Sequence, residues 1–158
     1  MRPKFPDWEG HRVNWHQDAG YTGAEADALR MVNVWSPLVP VNPENGCMQF
    51  IPGTHNIGIA PHEHREHYLE IVAEHLQPRL DQAVDIVMNP GDVVLFYNTL
   101  FHQGLPNRTS SIRWSCDWRY QDATQGTQRK HQGHIARSRS NPSSAVTSAA
   151  QWAGLSFG

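Results

Sequence analysis

Short segments rich in Val, Ile and aromatic residues alternate with turn-forming segments along most of the sequence. An apolar run at 29–38 is followed by the turn-forming NPENG at 42–46, and residues 111–122 alternate between apolar and polar side chains. Short strands separated by turns about every eight to twelve residues are typical of sandwiches and barrels. About seven such strands and one helical insert predict a mainly β fold, a double-stranded β-helix of the jelly-roll, cupin-like kind.

Two parts of the sequence depart from this pattern. Residues 56–82 are interpreted as an insert, in which apolar residues at helical spacing predict a helix over about 63–76 that Pro78 ends. Towards the C-terminus the sequence becomes basic and polar, and it contains a short predicted helix that begins at Ser143 or Ser144. The predicted division is therefore a jelly-roll core and a C-terminal extension packed on it, residues 1–122 and 123–158.

Size and composition narrow the class of protein. A chain of 158 residues can bury the core of one domain, and its net charge of −2 gives no electrostatic reason to expect nucleic acid or an anionic membrane as a partner. The two cysteines, Cys47 and Cys116, form neither a CxxC pair nor a disulfide framework. We expect no signal peptide and no membrane-spanning segment, and hence a cytoplasmic protein. The sequence indicates no oligomeric state.

Four residues suggest a metal site with an anion-binding arginine. His16 and Asp18 lie in a predicted strand at 13–18, where residues two apart point to the same face and can hold one metal ion. Such a pair is common by chance. Two further residues make the pair significant. His102 follows a PGD turn and returns on a neighbouring strand. Arg113 lies in an apolar, aromatic strand, where a buried guanidinium needs an anion.

The chemistry of this set is specific. Two neutral imidazoles and one carboxylate on one face of an octahedral iron(II) leave three positions open. A bidentate 2-oxo acid can take two of these positions and dioxygen the third. The distal carboxylate of the acid then needs a planar cation, and arginine supplies a bidentate fork.

The WHQD motif, PENGC with PGTH after it, PGD, and the spacing of His102 and Arg113 resemble the phytanoyl-CoA dioxygenase family of Fe(II)/2-oxoglutarate oxygenases over about 13–120. The resemblance implies a double-stranded β-helix in which His16, Asp18 and His102 hold iron(II) and Arg113 holds 2-oxoglutarate. It also implies that O2 hydroxylates a small organic substrate with release of succinate and CO2. Because Asp18 is present, the ligand vacancy of related halogenases is absent, which favours hydroxylation over chlorination.

Three further residues are candidates for the cosubstrate pocket. Asn33 and Trp35 share one face of their predicted strand, so Asn33 would bind 2-oxoglutarate by a hydrogen bond and Trp35 by packing. An ordinary core tryptophan with a buried polar neighbour is an equal alternative. Gly104 suggests close approach of the backbone to the cosubstrate, or simply a turn.

Candidates for the substrate side are less specific. Ser115 and Asp117 share the face of Arg113 in a regular strand, so they would orient it or border the substrate. Gln17 lies between two predicted ligands and could reach the substrate, although a regular strand would turn it away from the metal. A second metal site is conceivable in PHEHREH, but a solvated loop is the simpler interpretation of its histidines, His62, His64 and His67.

Fifteen residues precede His16, and proteins of this family are usually longer there. The chain is therefore expected to be either a compact variant or a truncated form that lacks N-terminal elements. Two alternatives to a hydroxylase stay open: a cupin-like binder or isomerase with a different metal, and a non-catalytic interaction module. Arg113 separates the first alternative from the hydroxylase, because a site without a 2-oxo acid has no need of a buried arginine there.

Overall fold

The computed structural model describes residues 1–8, 13–21, 30–65, 68–126 and 133–155. Within these ranges, the strands form two antiparallel four-stranded sheets and a separate two-stranded hairpin. The first sheet contains, in spatial order, β1 (Arg2–Lys4), β10 (Arg113–Gln121), β3 (Met31–Pro37) and β8 (Val94–Tyr97). The second sheet contains β2 (Val13–His16), β9 (His102–Gly104), β4 (Met48–Phe50) and β7 (Val84–Ile86).

A hairpin and short helices lie outside the two four-stranded sheets. The hairpin consists of β5 (His62–His64) and β6 (Leu69–Ile71), and two short α-helices are α1 (Ala73–Leu76) and α2 (Ala149–Ala153). The described part of the chain contains no helix with the length and apolar content needed to cross a bilayer. The division of the chain near residue 122 and the cytoplasmic location stay predictions.

The two sheets pack face to face. The rings of Phe50 on β4 and Phe96 on β8 have centroids 4.8 Å apart, and Trp35 on β3 belongs to the same buried cluster as Met48. A second cluster joins β2 and the residue before β9 to the insert, and it comprises Trp15, Ile51, Ala60, Ile71, Leu76 and Phe101. The predicted mainly β jelly roll is therefore confirmed.

The predicted helix over 63–76 is wrong in its first part. Residues 62–64 and 69–71 pair as strands, and only 73–76 form an α-helix. The predicted helix rested on Leu69, Val72 and Leu76 at helical spacing, but Leu69 is also buried together with Ile71 at the two-residue spacing of a strand. Short apolar runs carry this ambiguity, and here the pairing of the two strands decides it.

Two other predicted boundaries also change. The strand at 13–18 ends at His16, and Asp18 begins a 3-10 turn. The C-terminal helix begins after Ser148, whose side chain and Gln151 form a capping box, rather than at Ser143 or Ser144. The apolar run at 29–38 contains β3 as predicted, and its first residue lies outside the described ranges.

Gln17 joins the end of β2 to the insert. Its side chain is fully buried, and its amide nitrogen donates to the carbonyls of Gly58 and Thr99 while its amide oxygen accepts from the Ala60 N–H. Its backbone N–H also donates to Nε2 of His62, at 3.2 Å. Because this amide satisfies three buried backbone groups, it holds the turn that carries Asp18.

We expect Gln17→Leu to lower the free energy of unfolding by about 3 kcal/mol, because three buried backbone groups lose their partners. Chemical denaturation would measure this change. Gln49→Leu is the matched control, since its amide bonds an exposed aspartate side chain, and it should change the free energy by less than about 1 kcal/mol. Equal effects of the two substitutions would contradict this account of Gln17.

Candidate active site

Three potential metal ligands converge where β2 and β9 pair. His16, the last residue of β2, lies directly opposite His102, the first residue of β9. The 3-10 turn after β2 brings Asp18 to the same place, so that one ligand atom from each of the three residues lies within 4.8 Å of the others. Nε2 of His16 is 3.9 Å from Asp18 Oδ1, and Nε2 of His102 is 4.0 Å from Asp18 Oδ2.

Hydrogen bonds orient both imidazoles towards this point. Nδ1 of His16 lies 2.8 Å from the Asn14 carbonyl, and Nδ1 of His102 lies 2.9 Å from the Leu100 carbonyl. A carbonyl can only accept, so each Nδ1 carries the hydrogen and each Nε2 offers its lone pair. This is the tautomer in which histidine binds a metal through Nε2.

The electrostatics give the protonation states that a metal needs. Burial, reinforced by His102, lowers the pKa of His16 to about 3, and burial also lowers the pKa of His102. Burial alone would raise the pKa of Asp18, but His102, Arg119 and His16 outweigh it, and the net shift is downward. At neutral pH the set is therefore two neutral imidazoles and one carboxylate, which fits iron(II).

Arg119 of β10 is a site residue that the sequence interpretation missed. Its Nη2 lies 2.8 Å from Asp18 Oδ1, and its Nε donates to Oδ1 of Asn33 at 2.8 Å. The Arg119 contact occupies Oδ1 of Asp18, whereas Oδ2 is the oxygen that faces Nε2 of His102. The sequence could have indicated Arg119, because an even number of residues separates it from Arg113 and both therefore lie on the same face of the predicted strand.

A buried guanidinium with an unused donor lies further along the same strand. Arg113 donates from Nη1 to the Ser115 hydroxyl at 2.6 Å and from Nη2 to the Gly46 carbonyl at 3.0 Å, and its Cζ lies 5.5 Å from the ring centroid of Trp35. Its Nε is buried without a hydrogen-bond partner among the described residues, as is Nδ2 of Asn33. Unpaired buried donors are costly, and a ligand with acceptor oxygens would satisfy them.

One cavity of about 520 Å³ contains both ends of this arrangement. All of the predicted site residues except Gln17 line it, namely His16, Asp18, Asn33, Trp35, His102, Gly104, Arg113, Ser115 and Asp117. The cavity therefore connects the three potential ligands to the buried arginine.

The structure shows what several of the predicted site residues contact. The Gln17 amide is directed into the insert and bonds backbone groups there, so a substrate contact for Gln17 does not fit. Gly104 makes room for the side chain of Lys4. A Cβ at position 104 would lie only 3.1 Å from Nζ of Lys4. Ser115 orients Arg113, and Asp117 pairs with Arg2 at 2.7 Å.

The histidines of the insert differ in their surroundings. His62 packs against Gly20, where a Cβ would lie 2.7 Å from the imidazole, and it accepts from the Gln17 backbone. His64 is exposed in β5, and His67 lies outside the described residues. The possible second metal site at these three histidines therefore falls partly outside the described residues and stays untested.

A jelly roll whose cavity holds two histidines and one carboxylate has the ligand set of the non-haem iron(II) oxygenases. The sequence profile of the phytanoyl-CoA dioxygenase (PhyH) family matches residues 4–115, and the chain belongs to this family. This confirms the resemblance drawn from the motifs.

Individual relatives agree with this assignment. Dioxygenase trt7 of Aspergillus terreus is 36% identical over 113 residues, which cover 72% of this chain and 35% of trt7. The peroxisomal phytanoyl-CoA dioxygenase of Bos taurus is 28% identical over 112 residues, which cover 68% of this chain and 33% of that protein. The chain thus spans about a third of the length of these relatives.

A solved structure shows the same architecture. The non-haem alpha-ketoglutarate-dependent carbocyclase SnoK from nogalamycin biosynthesis superimposes with a TM-score of 0.57 at 27% identity. The superposition covers 77% of this chain and 47% of SnoK.

We expect Arg119→Leu to weaken divalent metal binding by about 10- to 100-fold, because Asp18 loses the partner that fixes its orientation. Anaerobic calorimetric titration with iron(II) would measure the affinity, and Arg119→Lys should fall in between. Arg30→Leu is the control, since it removes an exposed arginine–aspartate pair at 3.7 Å and should leave the affinity unchanged. An affinity of Arg119→Leu equal to that of the unaltered protein would contradict the proposed role.

Proposed function

We propose that this protein is an Fe(II)/2-oxoglutarate-dependent dioxygenase that hydroxylates a small organic substrate. The observation that carries the proposal is the single cavity with three metal-ligand residues at one end and the unpartnered guanidinium nitrogen of Arg113 at the other. Trt7 is named a dioxygenase and SnoK is described as alpha-ketoglutarate-dependent, which supports the same chemistry.

Each predicted ligand has an atom suited to its role. Nε2 of His16, Nε2 of His102 and Oδ2 of Asp18 would hold iron(II). When bound there, iron and 2-oxoglutarate would supply the activation of O2, with one oxygen atom going to succinate as CO2 leaves and the other to the hydroxyl group of the product. The carboxylate of Asp18 completes the ligand set and thereby favours hydroxylation over chlorination.

Other residues of the chain would position the cosubstrate. Arg113 would bind its distal carboxylate, Ser115 would hold the guanidinium in place, and Trp35 would pack against it. The unpaired Nδ2 of Asn33 would donate to an oxygen nearer the metal, because Asn33 is paired in register with Arg119. These assignments give an acceptor to both donors that are buried and unpaired among the described residues, Nδ2 of Asn33 and Nε of Arg113.

Apolar side chains would keep water from the reacting groups. Met48 and Phe96 line the cavity, and the ring centroids of Phe96 and His102 are 5.0 Å apart. A dry wall next to the metal limits side reactions of the activated oxygen. The cavity is mixed in character, which suits a small organic substrate with both apolar and polar parts.

We expect the anaerobic protein to develop a weak visible charge-transfer band when iron(II) and 2-oxoglutarate are both added, because the 2-oxo acid chelates the metal. His102→Ala should abolish the band by loss of the metal. Arg113→Met should retain metal binding but weaken 2-oxoglutarate binding by about 100-fold, because charge-assisted hydrogen bonds to the distal carboxylate are lost. Arg79→Met is the control, since Arg79 bonds a backbone carbonyl of the insert, and it should leave the band unchanged.

Admission of O2 would then test turnover. Succinate should form in step with the consumption of 2-oxoglutarate in the unaltered protein, and His102→Ala should form none. Folded protein that gives no band would overturn the proposal. A band without succinate would instead indicate a protein that binds both components and does not turn over, which is the non-catalytic alternative.

A further inference from the structure

The β5–β6 hairpin lies against the segment that carries two of the three potential metal ligands, and it has no role in the function described so far. Its described residues are not part of the cavity wall. Its contacts are instead with residues 14–21, the segment that contains His16 and Asp18. An effect of the hairpin on the site therefore has to pass through this segment.

His62 on β5 contacts the chain on both sides of Asp18. Its Nε2 lies 3.2 Å from the backbone nitrogen of Gln17, and because a backbone N–H can only donate, this ring nitrogen accepts. On the other side, the ring packs so closely on Gly20 that a Cβ there would lie 2.7 Å from it. The imidazole thus contacts the residue before Asp18 and the second residue after it, which limits movement of the turn.

Two tyrosine hydroxyls join the hairpin to the same segment. The hydroxyl of Tyr21, at the end of the turn, accepts from the N–H of Leu69 on β6 at 3.0 Å. The hydroxyl of Tyr68 accepts from Nδ2 of Asn14 at 3.0 Å, and the carbonyl of Asn14 is the group that orients His16. The hairpin therefore contacts the chain before, between and after the two ligands.

We propose that the β5–β6 hairpin positions the metal ligands at the end of β2, and that His62 is the positioning residue for Asp18. This inference rests on the proposed function, because it concerns the residues that would hold iron(II). A carboxylate binds a metal more tightly when its oxygen is already held in place, since less order has to be gained on binding. His62 acts on the turn, whereas Arg119 contacts the carboxylate directly.

The test uses cobalt(II) in place of iron(II), because its visible absorption depends on coordination geometry. We expect His62→Leu to weaken cobalt(II) binding by about 10- to 100-fold in calorimetry and to change the absorption spectrum, because the Gln17 N–H loses its acceptor. His62→Gln should stay within about 3-fold of the unaltered protein, since Oε1 of glutamine can replace Nε2 as the acceptor. His64→Leu is the matched control. It removes an exposed imidazole from the same strand and should change neither measurement.

A second substitution tests the same contact from the side of the turn. Gly20 is not among the glycines with positive φ, so its backbone accepts alanine, but the added Cβ would displace the ring of His62. We expect Gly20→Ala alone to weaken cobalt(II) binding by about 10-fold, and to add less than about 2-fold in His62→Ala, where the ring is absent. This double-mutant cycle keeps the inference testable even if His62→Leu folds poorly.

A hairpin that only stabilises the fold would give a different result. Thermal stability would then fall in His62→Leu, while the cobalt(II) affinity and the spectrum of the folded variant stayed unchanged, and this outcome would overturn the inference. An effect of Gly20→Ala that is equal with and without the ring of His62 would also overturn it.

The remaining outcomes separate this inference from the proposed function. A loss of affinity in His64→Leu equal to that in His62→Leu would show that the histidines of the insert bind the metal themselves, and would overturn the inference. If the unaltered protein binds no cobalt(II), the proposed function fails and this inference with it. Binding by the unaltered protein with an unchanged affinity in His62→Leu overturns the inference alone.

Discussion

The candidate site depends on the antiparallel pairing of β2 with β9. That pairing sets His16 opposite His102, and each imidazole is then oriented by the carbonyl two residues earlier in the chain. The end of β2 is equally important, because the turn that follows carries Asp18 back towards both histidines. The buried amide of Gln17 fixes this turn, so that a purely structural residue determines the geometry of the ligands on either side of it.

The long strand β10 runs from one end of the cavity to the other. Arg113 and Arg119 lie on its inner face six residues apart, which corresponds to roughly 20 Å between their Cα atoms. Arg119 holds Asp18 at the metal end, whereas Arg113 and Lys4 concentrate positive charge at the other end. A strand with charged residues on its buried face cannot pack as an ordinary core. The unpaired donors on this wall lower the stability of the empty site, and a bound diacid would restore it.

The features that were predicted have a pattern within a short stretch of sequence, whereas those that were missed depend on pairing between distant parts of the chain. His102 and Arg113 were found from their spacing after a turn, and the jelly roll from short strands and turns. Asp18 was expected on a strand, yet a 3-10 turn places it. The helix predicted in the insert was partly wrong because Leu69 fits a helical spacing with Val72 and Leu76 and also a strand spacing with Ile71. Lys4 lies in a polar, proline-containing segment with no local pattern, and only its pairing with a strand far along the chain buries it.

Anomalous diffraction from crystals grown with manganese(II), as a redox-inert substitute for iron(II), and 2-oxoglutarate would test the central claim most directly. The account predicts one metal peak within coordination distance of His16 Nε2, Asp18 Oδ2 and His102 Nε2. It also predicts that the distal carboxylate of the acid contacts Arg113. A metal bound elsewhere, for example at the histidines of the insert, or a distal carboxylate directed towards Arg119, would contradict it.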